Sequence, residues 1–192
     1  MKKVLIILAA GHGGKDTGAV SGTAVERDQA IVITDAVADL LKKVGFDVHV
    51  CPHDQDTHET IPYLNRKFGD GAFSGPRVGF EIHRDSASGL SKQEASLRCG
   101  IYHSGSTRSA KFAGIFVNAL EGNGATAASW SRNQNESRFH SLGFINQVED
   151  FRTFIVEAGF VEGQQGDDHM NRLAHIIAAG VIAGIAGCPE VA

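Results

Sequence analysis

The feature that most constrains the fold lies at the N-terminus. Val4 to Ala9 is a continuous apolar run ending at Gly11, as expected of a strand buried on both faces. A Gly-rich loop follows through Gly22. Ala30, Ile33, Val37, Leu40, Leu41 and Val44 then recur at helical spacing, and Gly45 supplies a stop. Phe46, Val48 and Val50 alternate with Asp47 and His49, which predicts a second strand with His49 turned outward. Strand, helix and strand in succession form a βαβ unit, and such a unit demands a parallel sheet covered by helices. The chain is therefore expected to be α/β. Its 192 residues suit one domain spanning 1–192, with a sizeable core.

Further along, the pattern predicts a helix over Glu59 to Phe68, with Pro62 near its first turn. Val78, Phe80 and Ile82 alternate with polar or small residues, so a third strand ends at His83. A polar loop leads to a short strand near Cys99 to His103, and Thr107 caps a helix carrying Ala110, Ala113, Phe116, Val117 and Leu120. The segment from Gly122 to His140 is polar, contains Trp130, and reads as a long loop of the kind that is usually functional or disordered. Leu142 to Gln147 reads as a short strand, and Thr153 to Val156 as a further one that delivers Glu157 at its end. A last helix runs from about Asp167 to Ala186. Its Gly180 and Gly184 stand at GxxxG spacing, but Arg172 and His175 lie nearby, so it reads as a buried core helix.

Composition removes several function classes. Net charge is −4 with no basic run or stripe, which argues against nucleic acid as a partner. No stretch reads as long and apolar enough to span a membrane, so no membrane insertion is expected. Cys51, Cys99 and Cys188 are dispersed and odd in number, which argues against a disulfide framework and for small buried apolar residues. The start, MKKVLIILAAGHGG, superficially resembles a signal peptide. Its apolar run is at the short limit for an export signal, and cleavage after the alanines would leave His12 in a frayed terminus, so a first strand is the preferred reading.

Chemistry-bearing residues fall at or just beyond the ends of predicted strands. His12 follows the first, His83 ends the third, and Glu157 ends the last; Glu26 opens the first helix and can face the same cleft. Ligands in open α/β sheets bind outside the carboxyl ends of strands. Two imidazoles and a carboxylate form a known catalytic zinc set. No short motif such as HExxH ties them together, so spacing alone supports this weakly. Gly11 and Gly13 begin a GxGxxG pattern, but Asp16 stands where its third Gly belongs, which argues against a nucleotide loop. For Trp130 two readings stay open, a platform for a sugar face and a plug beneath the loop. Arg132 and Arg138 read by default as a solvated face, with a peptide carboxylate as the alternative partner. Of the remaining histidines, His53 and His58 read as solvated, and His140 stands out only because it borders the long polar segment.

Three blocks then acquire a wider meaning. The string AGHGGKDTGAVSGTAVERDQA resembles the opening of the N-acetylmuramoyl-L-alanine amidase family of the AmiC/CwlV type, often called amidase type 3. EIHRDS, residues 81–86, resembles that family's Ser-Ile-His-Ala-Asn block, and FIVEAGFVEG, residues 154–163, its Val-Glu-Xaa-Gly-Phe block. Arg66 matches an Arg that precedes the His block. The blocks occur in the right order and span nearly the whole chain. Departures are Thr17 for the usual Pro, Ala30 for Asn, and Asp85 for Asn; the stretch 122–140 matches no family pattern.

The resemblance implies a twisted, mostly parallel central sheet with helices on both faces, agreeing with the periodicity. It implies zinc (Zn2+) held by His12, Glu26 and His83, and Glu157 as the catalytic carboxylate. The implied reaction is hydrolysis of the amide between N-acetylmuramic acid and L-alanine in peptidoglycan. Synthesis in the cytoplasm without a clear signal peptide, followed by action on the cell wall, would suit a phage endolysin. The rival readings are a zinc peptidase cutting within the stem peptide and a catalytically silent wall-binding protein; the presence of Glu157 argues against the second.

Overall fold

The computed structural model describes residues 4–87 and 89–188. In chain order the elements are β1 (Leu5–Ala10), β2 (Val20–Ser21), β3 (Ala24–Val25), α1 (Glu26–Lys43), β4 (Asp47–Val50), α2 (Thr57–Phe68), β5 (Arg77–Asp85) and α3 (Lys92–Leu97). There follow β6 (Gly100–His103), α4 (Thr107–Gly122), β7 (Trp130–Asn133), a 3-10 turn at Gln134–Glu136, α5 (Gly143–Asn146), β8 (Arg152–Phe160) and α6 (Asp167–Gly187). Six strands form one sheet in the order β4-β1-β5-β8-β6-β7, and β2 and β3 pair separately as a small hairpin. Every neighbouring pair in the large sheet is parallel except β6 with β8.

Strand alternation sends side chains to two cores. Ile6, Leu8, Val78, Phe80, Phe154 and Val156 face α1, α4 and α6, meeting Ile33, Phe112, Phe116 and Leu173. On the other face Ile7, Ala9 and Ile155 pack with Ile61, Leu64 and Phe68 of α2 and with Phe144 and Ile145 of α5. Helices therefore cover both faces, as expected of the βαβ unit.

Several boundaries differ from the expectation. Leu142–Gln147 is not a strand: Gly143–Asn146 is a short helix that buries Phe144 and Ile145. In so short a segment apolar residues cannot separate a strand from a helical turn. Glu157 lies within β8, not at its end, because buried Ala158 and Phe160 carry the strand on past a register shift opposite His83 and Asp85. β5 likewise runs two residues beyond His83. The segment 122–140 is no featureless loop, since β7 adds an edge strand parallel to β6. α2 begins at Thr57 behind an Asp56/Glu59 capping box, which puts Pro62 past its first turn. α3 was not expected, although Ser91 and Glu94 spell the same box in the sequence.

α6 is long and apolar enough, by length and composition, to cross a membrane, contrary to the sequence reading. Here it packs into the first core against α1 and α4, with Leu173, Ile177 and Val181 fully buried. The three cysteines are free and buried, in keeping with a packing role.

Candidate metal centre

Parallel pairing of β1 with β5 brings their carboxyl ends together, Ala10 opposite Ile82. The chain leaves β1 with the Gly11 amide still bonded to the Ile82 carbonyl, at 2.8 Å, and His12 follows at once. The β2–β3 hairpin then turns the chain so that Glu26 opens α1 beside both imidazoles. Glu26 Oε1 is 3.2 Å from His12 Nε2 and 3.1 Å from His83 Nδ1. The two rings stand edge to face, centroids 4.9 Å apart. One donor atom from each of His12, Glu26 and His83 lies within 4.8 Å of the others, and among the described residues this is the cluster able to hold a cation.

The glycines around it have a steric purpose. A Cβ on Gly11 would stand 2.1 Å from the His83 ring. Gly18 has φ +62°, and a Cβ there would fall 2.5 Å from His12 and 2.6 Å from Glu26. Bare backbone at these positions is what lets the three side chains converge.

Each donor is also held from behind. His12 Nδ1 is 2.8 Å from Asp16 Oδ2, and His83 Nε2 is 3.1 Å from the buried Glu81 Oε2. The amides of Ala19 and Arg84 donate to Glu26, at 2.9 and 3.1 Å. Carboxylates on the far ring nitrogens fix the tautomers and aim the free nitrogens at the cluster, as outer partners of metal sites do. Burial disfavours the charged Glu26 carboxylate, but hydrogen bonds from His12, His83 and Ala19 outweigh it and hold its pKa well below the usual range. Burial also opposes charging of His12 and His83, yet the carboxylates beside them raise both imidazoles, His83 the more. A pre-formed anionic cradle with two imidazoles fits a divalent cation of borderline character.

Glu157 is the register partner of His83 on the adjacent strand. Its Oε2 has no hydrogen-bond partner. Burial pushes its pKa up to about 8, against the opposing influence of His83 and with Asp85 and Glu26 adding to the rise. All four residues named from the sequence open into one cleft of about 710 Å³. Tyr102 and Asp85 line the same cleft, and the segment after β7 contributes Arg138 and Phe139 to its wall.

Other sequence readings sort themselves by position. Trp130 packs against Tyr102, centroids 4.7 Å apart, and beneath the Arg132 guanidinium, which is the packing reading and not an open sugar platform. His140 and Arg66 are exposed and do not line the cleft. His53 bonds to Asp35, while His49 turns inward onto Tyr63 and Phe68, where burial lowers its pKa to about 4. Asp16 and Glu81 were missed. Glu81 had a signal in the sequence, since it stands two residues before His83 on a strand and so shares its face.

No curated relative matches the chain. Solved structures of similar fold include AmiC2 of Nostoc punctiforme, an N-acetylmuramoyl-L-alanine amidase, at TM-score 0.70 and 20% identity, covering 93% of this chain and 95% of that one. The catalytic domain of CwlV, an N-acetylmuramoyl-L-alanine amidase from Bacillus (Paenibacillus) polymyxa var. colistinus, also aligns at TM-score 0.70 and 20% identity, covering 97% and 99%. An N-acetylmuramoyl-L-alanine amidase from Clostridium difficile 630 aligns at TM-score 0.72 and 18% identity, covering 97% and 98%. At these identities the likeness concerns the fold. The sequence itself matches the family described as N-acetylmuramoyl-L-alanine amidase over residues 6–187, a span that contains every residue of the cluster and of the cleft lining. The chain therefore belongs to the N-acetylmuramoyl-L-alanine amidase family.

Proposed function

We propose that this chain is a zinc-dependent hydrolase of the amide joining N-acetylmuramic acid to L-alanine in peptidoglycan, acting as one catalytic unit. In this reading His12, Glu26 and His83 hold the ion and Glu157 carries the proton. One observation supports it above the rest: three donors of the right chemistry converge within 4.8 Å, and a buried carboxylate with an unpartnered oxygen shares their cleft.

When bound, zinc supplies a Lewis acid that acidifies water and polarises a carbonyl. The rest falls to the protein's own groups. Asp16 and Glu81 keep a proton on His12 Nδ1 and His83 Nε2, leaving His12 Nε2 and His83 Nδ1 as the donors. Glu157 takes a proton from the attacking water at one carboxylate oxygen and delivers it to the departing alanine nitrogen. Its buried, unpartnered oxygen shares the cleft with the three donors, which suits it to both transfers, and a bound cation would draw its proton affinity down from the metal-free value toward that of a base.

The test is metal analysis of the purified protein together with wall digestion before and after chelation. We expect one zinc per chain, release of the alanine α-amine, loss of digestion on chelation and recovery on adding zinc. Undiminished digestion by metal-free protein would overturn the zinc dependence. A new amine from a later stem residue would make the enzyme a peptidase. His83→Ala should lose the metal while staying folded; full zinc occupancy in that variant would remove His83 from the ligand set.

A further inference from the structure

We propose that Arg132, flanked by Arg138, receives the free α-carboxylate of the second stem residue, so that the enzyme selects stems in which that carboxylate is not amidated. The inference rests on the amidase reading and deepens it. It starts from sheet register. His83 pairs with Glu157, Ile155 with Tyr102, and Tyr102 with Arg132. Because side chains alternate along strands, His83, Glu157, Tyr102 and Arg132 all project from one face, and all four line the cleft. β7 lies two strands from β8, a separation of roughly 10 Å.

That separation matches the substrate. From the scissile carbonyl to the α-carbon of the second stem residue is a stretch of about 7 Å of chain. The carboxylate on that carbon and the length of an arginine side chain close the remainder. Alanine, the first residue, carries no charge. The second residue, glutamate joined through its γ-carboxyl, leaves an α-carboxylate that is anionic when free and neutral when amidated.

Arg132 is built to be aimed. Its guanidinium lies 4.5 Å from the Trp130 ring centroid, and Trp130 in turn packs edge to face on Tyr102. Arg138 stands over Phe139, an exposed ring on the cleft wall, at 4.7 Å. Among the described residues neither arginine makes an ion pair within 4.0 Å, although Arg132 donates a hydrogen bond to Tyr102 and both guanidiniums favour the charged form of Asp85 from farther off. The acids lining the cleft are Glu26, Asp85, Glu136 and Glu157, of which Glu136 sits in the turn between the two arginines. Arg132 on β7, two strands from Glu157, therefore offers an incoming carboxylate a partner away from the reacting end, which orients the stem along the cleft. A planar guanidinium offers a carboxylate two parallel bonds that a neutral amide cannot accept in the same way.

The experiment compares two peptidoglycan preparations, one with the second residue's α-carboxylate free and one with it amidated. Release of the alanine α-amine is measured for the wild type, Arg132→Gln and Arg132→Lys. We expect the wild type to favour the free carboxylate by about tenfold to a hundredfold in kcat/KM, mostly through KM. Arg132→Gln should bring that ratio close to one, and Arg132→Lys should restore part of it, with zinc content unaltered in both. Equal wild-type rates on the two preparations would overturn the proposal, as would an Arg132→Gln variant that slows both equally, since that is the signature of a packing role. Absence of alanine amine from either preparation with zinc-loaded wild type would instead overturn the amidase reading itself.

Discussion

Glu157 and Gly11 act on the site through different physics, and each yields a test at the scale of one residue. Burial raises Glu157 to about 8, against an ordinary value of 4.5. Glu157→Gln keeps the shape but cannot accept a proton at neutral pH, so it should retain zinc and lose about 10²–10⁴-fold in turnover. Zinc content and alanine-amine release on the same variant check this; activity within a few-fold of wild type would exclude Glu157 as the base, and lost zinc would make it a ligand. The same shift has a stability consequence. A carboxyl with a raised folded pKa adds stability that is complete below about 4.5 and is lost as pH rises through about 8. Metal-free wild type should therefore lose more stability between pH 5 and 8.5 than metal-free Glu157→Gln, as read by urea denaturation. Glu26, held low, does the opposite and at lower pH, where its contribution disappears as acid protonates it. Gly11 has no chemistry of its own. A methyl there would meet the His83 ring at 2.1 Å, so Gly11→Ala should weaken zinc binding roughly 10–100-fold without changing a ligand. Competition against a calibrated chelator measures it, and an unaltered affinity would show that the ring has room to move.

At the scale of elements, the contact between α4 and α6 shows how one residue type can have opposite effects. Both helices contain glycines, which cost a helix up to about 1 kcal/mol relative to alanine. A Cβ on Gly114 in α4 meets nothing within 4 Å, so Gly114→Ala should stabilise the protein by about 0.5–1 kcal/mol. A Cβ on Gly184 in α6 would fall 2.4 Å from the buried Phe112 ring. Overpacking of this kind costs about 1–3 kcal/mol, more than the helix gains, so Gly184→Ala should destabilise. Denaturant midpoints for the two variants decide the matter, and shifts in the same direction would refute the packing account. The GxxxG spacing in α6 thus serves close approach of Phe112 and Phe116 within a core.

For the whole molecule, the cation site ties together parts of the chain that lie far apart in sequence. His12 follows β1, Glu26 opens α1 and His83 stands on β5. A cation bound to all three stabilises only the folded arrangement, because the unfolded chain cannot hold them together. At a free zinc concentration a hundred times the dissociation constant the gain is about 2.7 kcal/mol. Zinc should raise the melting temperature of the wild type, chelator should lower it, and His83→Ala should respond to neither. A zinc-dependent rise of equal size in that variant would place the stabilising ion elsewhere.

How much could be read in advance follows from the range of the forces involved. The βαβ opening, the main helices and the three family blocks were legible because alternation and helical periodicity are local, and because His12, Glu26, His83 and Glu157 stand inside recognisable strings. Short elements were not: α5 read as a strand and β7 was lost inside a polar segment, since four residues carry too little periodicity to distinguish them. Glu81 was visible only as a neighbour in strand alternation, and Asp16 only as a loop acid, until folding turned each toward an imidazole. The sequence by itself thus determined the α/β class and named the four residues of the cleft. Tertiary structure alone decided the strand order with antiparallel β6, the approach of the three donors, the proton affinity of Glu157 and the projection of Arg132 into the cleft. The reason is physical: register and burial arise between segments distant along the chain, and neither leaves a periodic trace in any one of them.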